Sequence, residues 1–265
     1  MTDTDQEPAR ETALITGASS GIGLELARLF AADGYHLVLV ARRNEALLAL
    51  AEELRAQHGV TVRVLARDLV RSSAAHDIHE MMLADGIDVD VLVNNAGFGA
   101  RGPFAELEYQ RQLDMIQLNV TTLTVLTRLF LPGMLARNRG GILNVASTAA
   151  FQPGPFMAVY YATKAYVQSF TEALAVEVAD SKLKVSCLSP GPTATEFAAR
   201  AGTEGSKLLR RTSSMAARAV AEIGYRGWQR GRALVVPGVA NKFSTWAVRL
   251  LPRRSVRRLV AGLNR

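Results

Sequence analysis

Thr16-Gly17-Ala18-Ser19-Ser20-Gly21-Ile22-Gly23 follows the apolar run Ala13-Leu14-Ile15 and leads into a stretch, Gly21 to Ala31, that reads as a helix. Strand, glycine-rich turn and helix in that order build a phosphate cradle. Glycines let the chain turn tightly and bring its backbone close to a pyrophosphate, and the helix N-terminus offers free N–H groups and the positive end of its dipole. The spacing is G-x-x-x-G-x-G, not the commoner G-x-G-x-x-G. Gly17, Ser19, Ser20, Gly21, Ile22 and Gly23 are therefore the first binding candidates.

The rest of the chain repeats the alternation. Leu37–Val40, Val60–Leu65, Val89–Val93, Gly141–Val145, Lys184–Leu188 and Ala233–Val236 are short apolar runs, separated by stretches with apolar residues at helical spacing, such as Leu47, Leu48, Leu50, Ala51 and Leu54. Continuous apolar strands alternating with helices predict an α/β fold with a doubly wound, seven-stranded parallel sheet of Rossmann type, covered on both faces. Ligands then sit at the carboxyl ends of the strands. A single domain over residues 1–240 with a basic extension over 241–265 is expected, with 193–212 read either as a lid or as a plain surface helix with its loop. The N-terminus shows no apolar signal segment, no apolar run approaches the roughly 18 residues of a membrane span, and the single cysteine, Cys187, reads as an inert buried thiol in a cytoplasmic protein.

The second strand ends Val40-Ala41-Arg42-Arg43, where a carboxylate would bind the ribose hydroxyl of NAD. Two guanidinium groups favour a 2′-phosphate instead, hence NADP; Arg42 directly follows the small residue at the acid's place and ranks ahead of Arg43.

Tyr160-Tyr161-Ala162-Thr163-Lys164 carries the chemistry. Reduction of a ketone needs hydride and a proton donor. A phenol can give that proton, and a neighbouring ammonium is expected to lower its pKa. On a helix, i and i+4 share a face, so Tyr160 points with Lys164 and Tyr161, about 100° around, points elsewhere. Ser147 ends the fifth strand and can hold the substrate oxygen, although Thr148 beside it could cap or act likewise. Asn119, in the helical region Leu113–Leu131, can hold through its amide a water that links Lys164 to solvent, or merely kink or cap the helix. His76 and His79 lack further ligands, so no metal is expected.

Together these residues resemble the short-chain dehydrogenase/reductase family, in its single-domain subtype, over about Thr12–Thr195 plus the last strand. The resemblance implies a catalytic tetrad of Asn119, Ser147, Tyr160 and Lys164, with Lys164 also holding the nicotinamide ribose. It implies an adenine-side pair Asp68-Leu69, a fourth-strand motif Asn94-Asn95-Ala96-Gly97, and a nicotinamide-side loop of Pro190-Gly191 followed by Thr193 and Thr195. A homodimer or homotetramer through the helices bearing Asn119 and Tyr160 is implied as well.

The substrate wall is expected from Ala149, Phe151, Pro155, Phe156, Phe197 and Phe98, an apolar set suited to an apolar carbonyl or alcohol. The expected function is an NADP(H)-dependent oxidoreductase interconverting a carbonyl and a secondary alcohol; the alternatives are a 3-oxoacyl thioester reductase of fatty-acid metabolism and a non-catalytic NADP(H)-binding regulator. The net charge of +7 equals the seven cations of Lys242–Arg265, a segment without acidic residues, so a general nucleic-acid surface is not indicated. That segment reads as two short amphipathic helices broken at Pro252. They are expected to pack on the domain or on a second subunit, to contact an anionic membrane peripherally, or to recognise an acidic carrier or CoA phosphates.

Overall fold

Apolar runs of a few residues, with no polar face to leave in water, are stable only inside a sheet covered on both sides. In a computed structural model that describes residues 10–203 and 214–264, this is where they lie. β1 (Thr12–Thr16), β2 (His36–Ala41), β3 (Val62–Ala66), β4 (Val91–Asn94), β5 (Gly141–Val145) and β6 (Lys184–Leu188) are joined by β9 (Leu234–Val235) in one sheet of order β3-β2-β1-β4-β5-β6-β9. Every pairing is parallel; Leu14, for example, stands between Val38 and Leu92. The strand order reverses between β1 and β4, the place where a doubly wound sheet opens a crevice. The seven strands and their parallel arrangement match the sequence expectation. An added two-stranded sheet of β7 (Thr193–Ala194) and β8 (Met215–Ala216) was not expected.

α1 (Gly21–Ala32), α2 (Asn44–His58) and α8 (Ala217–Gln229) cover one face, burying Ile15, Leu26, Leu39, Leu50 and a group of rings in which Phe30 meets Tyr225 edge-on at 4.7 Å. α3 (Ala74–Ala84), α5 (Leu123–Arg137) and α6 (Ala158–Glu177) cover the other, over Leu14, Val38, Ile78, Leu92, Phe130 and Leu174. α4 (Tyr109–Ile116) runs through a π-helical turn, Gln117–Thr122, directly into α5. This 29-residue run is long and apolar enough, by length and composition, to cross a membrane, which corrects the sequence expectation. In the fold Met115, Leu123, Leu126, Phe130 and Met134 are buried against the rest of the protein. Of the suggested lid, Phe197–Ala201 forms the short helix α7; residues 204–212 lie outside the described residues.

The C-terminal segment forms α9 (Val239–Leu250) and, after Pro252, α10 (Arg253–Asn264), the two helices broken at the proline that the pattern predicts. α10 packs on the domain through Val256, Val260 and Asn264. α9 buries only Thr245.

The starts of β1, β4 and β5 are tied by one buried carboxylate. Asp90, its side chain 2% exposed, accepts from the Thr12 amide at 3.0 Å, Arg137 Nε at 3.2 Å and Arg139 Nε at 3.0 Å. Removing one partner of a buried ion pair strands the rest and costs about 3–5 kcal/mol, whereas an exposed partner contributes at most about 1 kcal/mol. Asp90→Ala is expected to lower unfolding free energy by about 3 kcal/mol and Arg139→Ala by under about 1 kcal/mol. Denaturant titration checks both; equal losses would contradict the assignment.

Candidate active site

The carboxyl ends of β1 and β4 are fastened to each other. Thr16 Oγ1 accepts from the amides of Asn95 and Ala96, each at 3.0 Å, and donates to the Val93 carbonyl at 3.1 Å. Asn95 Nδ2 donates to the Thr16 carbonyl at 2.9 Å. The turn after β1 is thereby pressed against β4 so closely that glycine is required. A Cβ on Gly23 would stand 2.4 Å from the Gly17 carbonyl oxygen and from Asn95 Nδ2, and Gly17 itself has φ +67°. Ser20 leads into α1 without capping it through its side chain, and the first turn carries no acid. The first N–H groups of α1, at Gly21, Ile22 and Gly23, precede the helix's own hydrogen-bond ladder and fit a pyrophosphate.

Arg42 and Arg43 stand at the end of β2, as the sequence predicts. Arg43 bridges the cleft: it donates to the Ser19 carbonyl at 3.0 Å and pairs with Glu196 at 3.0 Å, just before α7. Its guanidinium holds the Glu196 carboxyl below the usual range. Arg42 is exposed and has no hydrogen bond or ion pair among the described residues. Asp68 is exposed, with Oδ1 accepting from the Val70 amide at 3.1 Å, while Leu69 is buried and its carbonyl accepts from Thr122 Oγ1 at 2.8 Å.

Not all of Asn94-Asn95-Ala96-Gly97 faces the cleft. Asn94 Nδ2 donates inward to Asn144 Oδ1 at 2.9 Å and Thr127 Oγ1 at 3.2 Å, within a buried polar chain that continues from Asn144 to Thr171. With Asn95 held to β1, both asparagine side chains support the cradle. Gly97 faces inward: a Cβ there would lie 3.0 Å from Asn119 Oδ1 and 3.3 Å from Lys164 Nζ.

The tetrad assembles around that point. α6 carries Tyr160 and Lys164 one turn apart, 7% and 5% exposed. The Tyr160 hydroxyl is near enough to Ser147 for the serine to oppose the rise of its pKa, and Ser147 Oγ accepts from the Ala149 amide at 3.1 Å and so caps the 3₁₀ turn Thr148–Phe151. This geometry selects Ser147 over Thr148. Lys164 Nζ lies 5.9 Å from the Tyr160 ring centre and donates to the Val145 carbonyl at 2.8 Å. The π-helical turn carries Asn119 inward, 1% exposed; its Nδ2 donates to the Phe98 carbonyl at 3.0 Å and Thr163 Oγ1 at 3.1 Å, and its Oδ1 accepts from the Phe98 amide at 3.2 Å. Both amide hydrogens are thus committed, and only the second lone pair of Oδ1 is left for a water.

One electrostatic expectation is reversed. Burial pushes the Tyr160 phenol up, Ser147 opposing it, and Lys164 is not among the causes. Burial also pushes the Lys164 ammonium down, to about 8. Taking both groups out of water outweighs the attraction expected between them. Cys187, fully buried, is raised to about 11, as suits an inert thiol.

Tyr161 points away from the tetrad. Its hydroxyl donates to Asn264 Oδ1 of α10 at 3.3 Å, and its ring fills the space a Cβ on Gly154 would take. Asn264 Nδ2 donates to the Pro155 carbonyl at 2.9 Å. This support of the active-site shell by the far C-terminus was not read from the sequence.

On the substrate side, Ala149, Phe98, Met157 and Phe197 cluster with Tyr160, the Phe197 ring centre 5.3 Å from that of Tyr160. Phe156, at φ +66°, lines a small apolar recess with Ala100, Leu107 and Met115. Phe151 is not among the residues gathered in this cluster. The loop after β6 closes the other side. The Pro190 carbonyl accepts from Ser147 Oγ at 3.4 Å, Thr193 Oγ1 donates to the Gly191 carbonyl at 2.9 Å, and a Cβ on Gly21 would meet Thr195 Cγ2 at 2.9 Å. Among the described residues no His, Cys, Asp and Glu group suits a metal ion; His79 packs edge-on against Phe130 at 5.1 Å.

A family profile described as "short chain dehydrogenase" matches residues 11–205. The chain is 38% identical over 185 residues, 68% of its length, to a very-long-chain 3-oxoacyl-CoA reductase of Phaeosphaeria nodorum, of which it spans only 54%. It is 32% identical over 96% of its length to a protein of the same name from Anas platyrhynchos, spanning 80% of that protein. Among solved structures, a short-chain dehydrogenase from Sphingobium yanoikuyae in complex with NADPH is 33% identical with a TM-score of 0.81, covering 89% of this chain and 92% of that one. A 7β-hydroxysteroid dehydrogenase is 25% identical with a TM-score of 0.85, covering 94% and 96%.

Burial of Lys164 has a thermodynamic signature. The unfolded chain holds this proton up to about pH 10.4, and the folded chain releases it near 8. Between those values the unfolded state binds more protons, so its contribution to stability rises with pH. The stability of Lys164→Met relative to the parent should therefore be greatest at neutral pH and decline from about pH 8 to about pH 10. Denaturant unfolding of both proteins across that range reads the margin; a margin independent of pH would contradict the burial argument.

Proposed function

The chain belongs to the short-chain dehydrogenase/reductase family of NAD(P)-dependent oxidoreductases, and from that membership we propose that it interconverts a carbonyl and a secondary alcohol on an apolar substrate, using NADP(H). The observation that carries the reading is the buried Tyr160 phenol, close to Ser147, with Lys164 one helical turn behind it. The nicotinamide, when bound, supplies or accepts the hydride. Ser147 holds the substrate oxygen, and Tyr160 donates its proton to that oxygen as it gains charge. A phenol kept neutral by burial is an acid at neutral pH, which favours reduction there; oxidation requires it to lose its proton first. Lys164 stabilises the phenolate left after transfer. The free lone pair of Asn119 Oδ1, beside Gly97 and Lys164, is the place for a water that returns the proton.

Arg42 and Arg43, with no carboxylate at the end of β2, support NADP over NAD, because a 2′-phosphate offers charge and geometry that two guanidiniums can satisfy. The Sphingobium relative is described with NADPH. The wall of Ala149, Phe98, Met157 and Phe197 suits an apolar chain or ring. Reduction of 3-oxoacyl thioesters is the second reading, favoured by the names of the relatives; a screen of ketones against acyl thioesters separates the two. A non-catalytic NADP(H)-binding role is disfavoured by the intact tetrad. We further propose a cytoplasmic homodimer or homotetramer built on α4–α5 and α6, where Leu113, Ile116 and Tyr166 remain exposed.

Tyr160→Phe is expected to lower kcat by at least about a thousandfold with NADPH affinity unchanged, while Tyr161→Phe stays active. Steady-state rates and NADPH fluorescence titration read both, and substantial turnover in Tyr160→Phe would refute the assignment. Glu196 competes with a 2′-phosphate for Arg43. An exposed pair of this kind is worth at most about 1 kcal/mol, so Glu196→Gln should tighten NADPH binding by up to about fivefold and leave NADH unchanged. Equal effects on both cofactors would remove Arg43 from phosphate recognition.

A further inference from the structure

α9 is amphipathic in the wrong sense for a helix that only packs on its own domain. Val239, Phe243, Trp246 and Leu250, at i, i+4, i+7 and i+11, fall within about 60° of arc, and they are 83, 67, 58 and 67% exposed. The helix turns its apolar stripe outward. Leu251 and Leu259 extend the exposed apolar surface beyond the helix.

The charge around this stripe has one sign. After Glu222 the chain contains ten arginines and lysines and no aspartate or glutamate. Lys242 and Arg249 lie together along one edge of the stripe, and Arg253, Arg254, Arg257 and Arg258 are exposed along α10. None of these six forms an ion pair among the described residues. Lys242 also borders a cavity of about 350 Å³ lined by Arg226, Arg230 and Arg232 over Val235 and Val236. α10 anchors this surface to the body through buried Val256 and Val260 and the Asn264 hydrogen bonds.

We propose that α9 and α10 seat the protein on an anionic phospholipid surface, the Val239–Leu250 stripe entering the interface and the surrounding cations taking lipid phosphates. Apolar residues with tryptophan on one side and cations beside them suit the headgroup boundary, and each cation near an anionic leaflet adds about 1 kcal/mol. A second copy of the chain fits less well, because a two-fold contact would set one uniformly basic surface against itself. A nucleic acid would leave Val239, Phe243 and Leu250 without apolar partners.

The test is flotation of the full chain with phosphatidylcholine vesicles, with and without about 30 mol% phosphatidylglycerol. Binding should require the anionic lipid and weaken between about 50 mM and about 500 mM salt. Trp228 is buried and Trp246 is exposed, so a blue shift of tryptophan emission on vesicle addition reports α9. The double variant Phe243→Ser/Trp246→Ser should lose at least about tenfold in vesicle partitioning, with unchanged circular dichroism and thermal unfolding. Absence of flotation with anionic vesicles, or unchanged partitioning by the double variant, overturns the proposal. If light scattering shows an oligomer that dissociates in the double variant while neither protein floats, the stripe is instead a subunit interface.

Discussion

The Thr16 hydroxyl, by accepting two main-chain N–H groups from the end of β4 and donating to a third residue there, fixes the separation of the two strands on either side of the topological reversal. The rest of the site depends on that separation. It forces Gly17 and Gly23 to be glycines, aims the α1 N-terminus into the crevice, and leaves Gly97 beside Asn119 and Lys164. The candidate phosphate cradle and the expected tetrad are thus two consequences of one strand-to-strand clasp. Asn94, with its side chain drawn down to Asn144 and Thr127, reinforces the clasp from within the core.

Burial sets the chemical character of the tetrad and makes it costly. Lys164 is deprived of water and compensated in the protein by one carbonyl, that of Val145. Tyr160 is likewise dehydrated and kept in its acid form. Such a pair contributes little to folding and is tolerated because the sheet and the aromatic group around Phe30 and Trp228 contribute so much elsewhere. Placement of Asn119 in a π-helical turn has the same logic: the wide turn reorients one side chain inside an otherwise regular helix, a device associated with functional sites.

Much of this was legible in the sequence because it follows from local periodicity. Seven apolar runs gave seven strands in a parallel sheet, and the i, i+4 relation of Tyr160 and Lys164 set them on one face while sending Tyr161 elsewhere. What escaped depends on groups distant in the chain. Asn264 reaching Tyr161, Arg43 reaching Glu196 and Thr163 reaching Asn119 leave no periodic trace. Phe151, expected in the substrate wall, ends the 3₁₀ turn half-buried, outside the apolar group that packs around Tyr160. The pKa of Tyr160 was misjudged because spacing reveals proximity to a cation and says nothing of the water lost by both.

The two C-terminal helices show how far a hydrophobic pattern can carry an argument. α9 and α10 have the same signature, an apolar stripe with cations offset from it, and the pattern alone assigns them one role. The fold separates them. Val256, Val260 and Asn264 turn α10 inward onto the Tyr161 shell, while Val239, Phe243, Trp246 and Leu250 turn α9 outward. Periodicity identifies the face of a helix that avoids water, but its direction is set by where the preceding chain leaves the sheet. Here β9, at the sheet edge, passes the chain through Gly238 into α9, whose only buried residue is Thr245. Of two adjacent helices with one signature the fold buries the apolar face of only one, and the other keeps an exposed apolar patch of the kind that marks interaction sites.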